Sequence, residues 1–247
     1  MDVAVVPLLS SLEPSAFERL MARSVTRSLP RGRVLFLSGE ARARAHFVLD
    51  GSFFLLRRDP SGAESVNGFA TRGRLLDEIG TVDGEPHTCD AIAASDAIVL
   101  GVDASALRDE LDRSVPLAKE LARQLEARLR WMTTAATERA SCRVAGRVAG
   151  RLLDLASQLG EERGGVIEFD LPVQQEQLAL LAGTTRESAC KTMRALKDKG
   201  VLDYRGRRLR ILRPDALDYL RCGERAAGPS PSGGAGVRRR SRSRSGT

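Results

Sequence analysis

Hydrophobic positions change period several times along the chain. Over residues 7–29 they fall at helical spacing: Leu8, Leu9 and Leu12, then Phe17, Leu20 and Met21 behind Pro14. Proline in a first turn, with apolar residues three and four apart, predicts short helices there. From Leu29 to Val102 short apolar runs alternate with glycine and polar turns. Val34-Leu35-Phe36-Leu37 precedes Gly39, and Phe47-Val48-Leu49 precedes Gly51. Phe53-Phe54-Leu55-Leu56 leads to a polar turn at Asp59-Pro60-Ser61-Gly62, and the runs at 66–69 and 98–100 continue the pattern. Short strands at near-regular spacing predict an antiparallel sandwich or barrel.

A helical period returns after Ser114, where Ser114 or Val115 can cap and Pro116 fits the first turn. Leu117, Leu121, Leu125, Leu129, Met132 and Ala136 form one stripe, with no glycine or proline until Gly146. A helix packed on its own domain and a dimer seam both use such a stripe. Its length, and its place behind a complete β domain, favour the seam. Gly146 begins a second predicted helix over 147–159; 160–165 is a loop and 166–169 alternates like a strand. Residues 174–182 predict a short helix with Leu178 and Leu181 inward, closed by a turn at Gly183. Thr184-Thr185-Arg186-Glu187 has the spacing of a capping box, which starts a further helix. Ala189, Met193, Leu196 and, past Gly200, Val201 face inward. Residues 202–204 and 209–212, joined by Arg205-Gly206-Arg207-Arg208, predict a hairpin wing. Two short helices around a glycine turn, with a wing behind, predict a winged helix-turn-helix.

Charge sharpens this picture. The 247 residues carry a net +7, unevenly placed. Residues 1–170 hold 22 Lys/Arg against 25 Asp/Glu, residues 171–222 hold 11 against 6, and residues 223–247 hold 6 against 1. A basic back joined to a near-neutral front is the footprint of a polyanion binder. Residues 226–247, rich in Gly, Ser, Pro and Arg, cannot bury a core, and a disordered tail is expected from 223. Cys89, Cys142, Cys190 and Cys222 lie far apart, and His46 and His87 are the only histidines. No metal cluster or disulfide framework follows. His87 and Cys89, two apart in a predicted strand, read as a half-buried histidine and a core thiol. No nucleophile triad, P-loop or dinucleotide fingerprint occurs, so no enzyme is expected. No apolar run has membrane-spanning length and the N-terminus lacks a secretory pattern, so a cytoplasmic protein without membrane contact is expected.

In a helix-turn-helix the first residues of the second helix face base edges. Here these are Thr185, Arg186, Glu187, Lys191 and Ser188. Arg186 suits guanine through two hydrogen bonds, and Glu187 can accept from cytosine N4. Pure helix capping is the alternative for Glu187, and a solvated face the alternative for Lys191. Thr184, Thr185, Gln174, Arg207 and Arg208 are expected to hold phosphate.

At this point the chain resembles the Crp/Fnr family of bacterial transcription regulators. The segment GTTRESACKTMRALKDKGVL carries the resemblance, which continues through ASCRVAGRVAGRLLDLA, LPRGRVLFLSGE, HFVLDGSFFLLRRDPSG and DEIGTVDGEPHT. It spans about residues 7–220. The resemblance implies an α+β chain with four parts. These are a jelly-roll-like antiparallel β-roll of cyclic-nucleotide-binding type (1–112), a dimerisation helix (113–141), a winged helix-turn-helix (142–222) and the tail (223–247). It implies a homodimer on a two-fold-symmetric operator of double-stranded DNA, read through Arg186, Glu187 and Lys191. The family has arginine at the position of Lys191. RNA polymerase and a small-molecule effector are the further partners it implies.

The resemblance also implies where an effector would sit. The family's phosphate cassette, Gly-Glu-Leu followed by Arg-Ser or Arg-Thr, falls on Asp77-Glu78-Ile79 and His87-Thr88, and the pair that reaches adenine falls on Met132-Thr133. Asp77 brings a negative charge where phosphate must approach, and His87 lacks the guanidinium fork. No cofactor is therefore expected, with a cyclic nucleotide, or a different effector in the same pocket, as the alternatives. An effector-independent regulator and a nucleotide-sensing scaffold are the alternative readings.

Overall fold

The computed structural model describes residues 5–58 and 64–226. Helices α1 (Pro7–Ser10) and α2 (Pro14–Met21) open the chain, each with proline in its first turn. Eight strands follow: β1 (Val25–Leu29), β2 (Val34–Phe36), β3 (Arg44–Asp50), β4 (Ser52–Arg58), β5 (Glu64–Thr71), β6 (Leu75–Leu76), β7 (Asp90–Ala93) and β8 (Ala97–Asp103). They form two antiparallel sheets, in the orders β1-β8-β3-β6 and β2-β7-β4-β5. Leu29, Phe36, Val48, Phe53, Leu55 and Val99 fill the space between them. The β3–β4 turn requires Gly51, whose φ is +79° and where a Cβ would lie 2.4 Å from the Asp96 carbonyl oxygen. Strand β1 corrects the expected helices over 7–29. Only Leu29 of it is buried, so no alternation marks it, and pairing with β8 makes it a strand.

Helix α3 (Ala104–Arg113) leads into α4 (Val115–Ser141). Ser114 caps α4, its Oγ accepting from the Leu117 N–H at 3.3 Å. Leu117 and Leu121 pack with Leu8, Leu49 and Val102 of the roll. The helix is interrupted at Cys142 and Arg143, and α5 (Val144–Leu159) starts before the glycine expected to open it. The remaining elements are β9 (Glu161–Arg163), β10 (Val166–Asp170), α6 (Gln175–Leu181), α7 (Arg186–Asp198), β11 (Leu202–Arg205), β12 (Arg208–Ile211) and α8 (Pro214–Ala226). The wing β11–β12 belongs to a sheet of order β11-β12-β10-β9. Val148, Leu152, Leu178, Met193, Leu209 and Leu217 form the core of this lobe, and Phe54, Leu56 and Val66 of the roll join it. The architecture is α+β, as the resemblance implies. Helix α8 carries the backbone past residue 223, where the sequence suggested the tail begins. The tail from 227 and the turn at 59–62 lie outside the described residues. No helix among the described residues is long and apolar enough to cross a membrane.

Candidate functional site

The turn between α6 and α7 is built around Gly183. Its φ is +59°, and a Cβ there would stand 3.0 Å from Arg139 Nε. Arg147 of α5 clamps this turn. Its Nε donates to the Ala182 carbonyl (2.9 Å), Nη2 to that of Gly183 (3.1 Å) and Nη1 to that of Cys142 (2.9 Å). At the start of α6 the Gln174 N–H donates to Gln177 Oε1 at 2.9 Å. At the start of α7 the cap is Thr185, whose Oγ1 accepts from the Ser188 N–H at 3.2 Å. This corrects the capping box expected at Thr184 and Glu187. The helix begins one residue later, so Glu187 has no reciprocal capping partner to serve. Cys190 Sγ donates to Gln175 Oε1 at 2.7 Å and ties the two helices together.

Ala189, Met193 and Leu196 are buried, which fixes the rotation of α7. Glu187 and Lys191 are exposed, at the spacing of one turn. Arg194, absent from the residues expected to meet DNA, shares this exposed face; its step of three from Lys191 is the signal that marks it. Arg186 is exposed on the flank, bordering a cleft with Gln174 and Arg207 of the wing. Ser188 is half-buried and its hydroxyl accepts from Thr185 Oγ1. Thr184 and Thr185 line a second cleft against Glu64 and Ser65 of β5. Arg207 is exposed at the wing tip, with Nε donating to the Leu171 carbonyl. Arg208 is more engaged than its sequence context suggests. It pairs with Glu168 at 3.1 Å, and the same carboxylate accepts from Arg210 at 2.6 Å.

A cavity of about 380 Å³ lies between β5, α4 and α5, lined in part by Thr71, Arg74, Glu78, Arg128, Trp131 and Asp154. Burial pushes the Glu78 carboxyl up, against the pull of Arg128 and Arg74. Trp131 Nε1 donates to Asp154 Oδ2 at 3.0 Å, and the Arg128 and Arg151 guanidinium groups stand over its ring. Of the seven residues expected to bind an effector, only Glu78 lines this cavity. Met132 and Thr133 are exposed instead. Each residue turns a helix by about 100°, so a stripe stepped in fours drifts off the inward face. That face runs through Leu117, Leu121, Gln124, Arg128 and Trp131, and Met132 and Thr133 point elsewhere. Ile79 is exposed as well.

Asp77, His87 and Thr88 meet in a closed knot beside the cavity. Asp77 is buried and has φ +52°, the one positive φ of a non-glycine residue among those described. Its Oδ2 takes Arg42 Nη2 at 2.7 Å, the Thr88 N–H at 3.0 Å and His87 Nδ1 at 3.0 Å, while Oδ1 accepts from Thr88 Oγ1 at 2.6 Å. Burial would raise this carboxyl, but the bonds from His87 and Thr88 and the Arg42 charge hold it below the ordinary range. The expected repulsive charge is thus neutralised internally. His87 stacks on Phe36, with ring centroids 3.6 Å apart. Residue 87 precedes β7, which corrects the strand expected for His87 and Cys89. Burial pushes the Cys89 thiol up to about 12, which leaves it protonated and inert.

A sensor-type β-roll, a long helix and a winged helix-turn-helix define a class: transcription regulators that join a ligand-binding type of domain to a DNA-binding one. Residues 26–114 match the cyclic nucleotide-binding domain, and residues 146–220 match the Crp-like helix-turn-helix domain. The CRP-like cAMP-activated global transcriptional regulator of Mycobacterium tuberculosis is 28% identical over 204 residues, which cover 83% of this chain and 91% of the relative. The cyclic AMP receptor protein of Thermus thermophilus is 28% identical over 200 residues, covering 79% and 88%. The structure of FixK2 from Bradyrhizobium japonicum has the same fold, with a TM-score of 0.72 at 21% identity over 80% of this chain and 96% of that one. The chain thus joins, in one polypeptide, the two domain types of the Crp/Fnr family of transcription regulators, and the relatives it resembles are regulators of that kind.

Proposed function

We propose that two copies of this chain bind a two-fold-symmetric operator and read it with α7. The exposed row Glu187, Lys191 and Arg194 on a capped helix, with Arg186 on its flank, carries this reading. Arg186 grips guanine O6 and N7, Glu187 accepts from cytosine N4, and Lys191 adds a less directional charge. Gln174 and Arg207 flank Arg186 and serve the phosphates, which position the reader without specifying sequence. Thr184, Thr185 and Ser188 build the start of α7, and Arg208 reaches phosphate only by exchanging Glu168. A scaffold with a vestigial reader has no use for this basic, exposed row.

The test is a gel-shift comparison of operator and random DNA. Arg186→Ala removes one bidentate base contact of about 1–3 kcal/mol from each half-site and is expected to weaken operator binding roughly 30-fold or more. Binding to random DNA should change little. Equal losses on both DNAs would contradict base reading.

The second proposed element is that operator binding does not depend on cyclic nucleotide. The names of the relatives refer to cyclic AMP, but the knot around Asp77 does not fit it. A cyclic phosphate seated on the hydroxyl and N–H of Thr88 would fall on the Asp77 carboxylate. Micromolar cyclic AMP is expected to leave both operator affinity and melting temperature unchanged.

A further inference from the structure

We infer that Asp77 is a resident anion, a side chain of the protein itself that occupies the phosphate cradle of the β-roll. The inference deepens the reading of the roll given above and names what fills the cradle. It rests on three observations. First, four donors from distant parts of the roll converge on one carboxylate: the Arg42 guanidinium, the His87 ring N–H, and the N–H and hydroxyl of Thr88. A carboxylate is an acceptor only, so His87 carries its proton on Nδ1 and all four groups donate. Donors gathered in this way form an anion site, and here the anion is covalently part of the chain.

Second, the site is closed. The side chains of Arg42 and Asp77 are each 1% exposed and that of His87 is 3%. Arg42 is held on its other side as well. Its Nη1 donates to the Asp77 carbonyl and its Nη2 to that of Ile79. The neighbouring cavity reaches Glu78 but is not lined by Asp77, His87 or Thr88. Third, the backbone is bent to make the contact. A positive φ suits glycine, and aspartate adopts it more readily than most residues because its short side chain can bond locally. At φ +52° the Asp77 carboxylate meets all four donors. A fixed carboxylate thus stands where the family's cassette would take a mobile phosphate, on donors of which Thr88 is the one the two share.

The experiment uses the full chain, as wild type, Asp77→Gly and Asp77→Asn. Melting temperature is measured in inorganic phosphate, in cyclic AMP and in chloride of matched ionic strength. Asp77→Gly relaxes the backbone but strands the buried Arg42, so it is expected to melt low in chloride and to be rescued by phosphate or cyclic AMP. The rescue should be on the order of 5 °C or more at saturating ligand. Wild type is expected to show no rise with either ligand. Asparagine keeps the cradle filled but neutral, so Asp77→Asn should melt low and stay unresponsive. A rise for wild type with cyclic AMP overturns the inference. So does an Asp77→Gly protein that gains nothing from either anion, whether folded in chloride or not. An Asp77→Asn response equal to that of Asp77→Gly also overturns it. No DNA enters these measurements, so they can fail while the operator reading stands, and the reverse.

Discussion

At the scale of single residues, buried ionisable groups tie the roll to pH. His46 sits in β3 with its ring near Phe36, and its Nδ1 has no hydrogen-bond partner. Burial, then the charges of His87, Arg27, Arg44 and Arg42, lower its pKa from 6.5 to about 4. The unfolded chain therefore takes up a proton as pH falls through 6.5, while the folded protein does so only near 4. Stability is lost across that window, by about 3 kcal/mol for a shift of this size. Asp77 acts in the same direction at lower pH. Its carboxyl is depressed in the folded state, so its contribution is present above the ordinary carboxylate range and disappears as pH falls through the folded value. Chemical denaturation of wild type and His46→Leu from pH 7.5 down to about pH 2.5 separates the two. The variant is expected to lose the slope between 6.5 and 4 and to keep the acid limb below it. Parallel curves for both proteins would remove His46 from the account.

At the scale of elements, an ionic cluster joins the end of α4 to the DNA-binding lobe. Glu138 of α4 is 3% exposed and pairs with Arg151 of α5 and, at 2.7 Å, with Arg221 of α8. Asp154 bridges the same two arginines at 3.2 Å each and accepts from Trp131. Removing one partner of a buried pair costs about 3–5 kcal/mol, because a charge is left behind. Glu138→Ala should lose that much in urea denaturation, whereas Glu138→Met with Arg151→Met should recover part of it. Additive losses would mean that the two groups do not act as a pair. This cluster was invisible in sequence, since residues 138, 151, 154 and 221 share no local pattern. The pair Arg42 and Asp77 was hidden for the same reason. The helix-turn-helix was legible because its signals are local: inward spacing of Ala189, Met193 and Leu196, and a turn glycine. Even there two adjacent threonines could serve as cap, and geometry chose Thr185. The short strands β6 and β7 left too few positions to show a period.

At the scale of the whole molecule, α4 carries two apolar faces with different fates. Leu117 and Leu121 are spent on the roll, while Leu129 is 66% and Met132 39% exposed on the adjacent face, with Leu125 between the two. A drift of about 40° per four residues separates these faces, and the outer one is the surface the proposed dimer would use. Pairing two readers matters energetically. The second half-site is bound at the effective concentration set by the first, which can add a factor of about 10²–10⁴. Leu129→Glu is therefore expected to give a monomer by analytical ultracentrifugation and to lose operator affinity on that order. Leu129 is exposed and belongs to none of the cores of the single chain, so the melting temperature should change little. Geometry supplies an independent arm. Paired recognition helices meet half-sites about 34 Å apart, one turn of the duplex. Five base pairs inserted between the half-sites turn one of them to the far side of the DNA, and should weaken wild type about as much as Leu129→Glu does. The same insertion should leave the monomeric variant unaffected, because a single reader does not sense spacing. A Leu129→Glu protein that remains a dimer would move the seam off this face of α4, and indifference of wild type to spacing would remove the paired reader altogether.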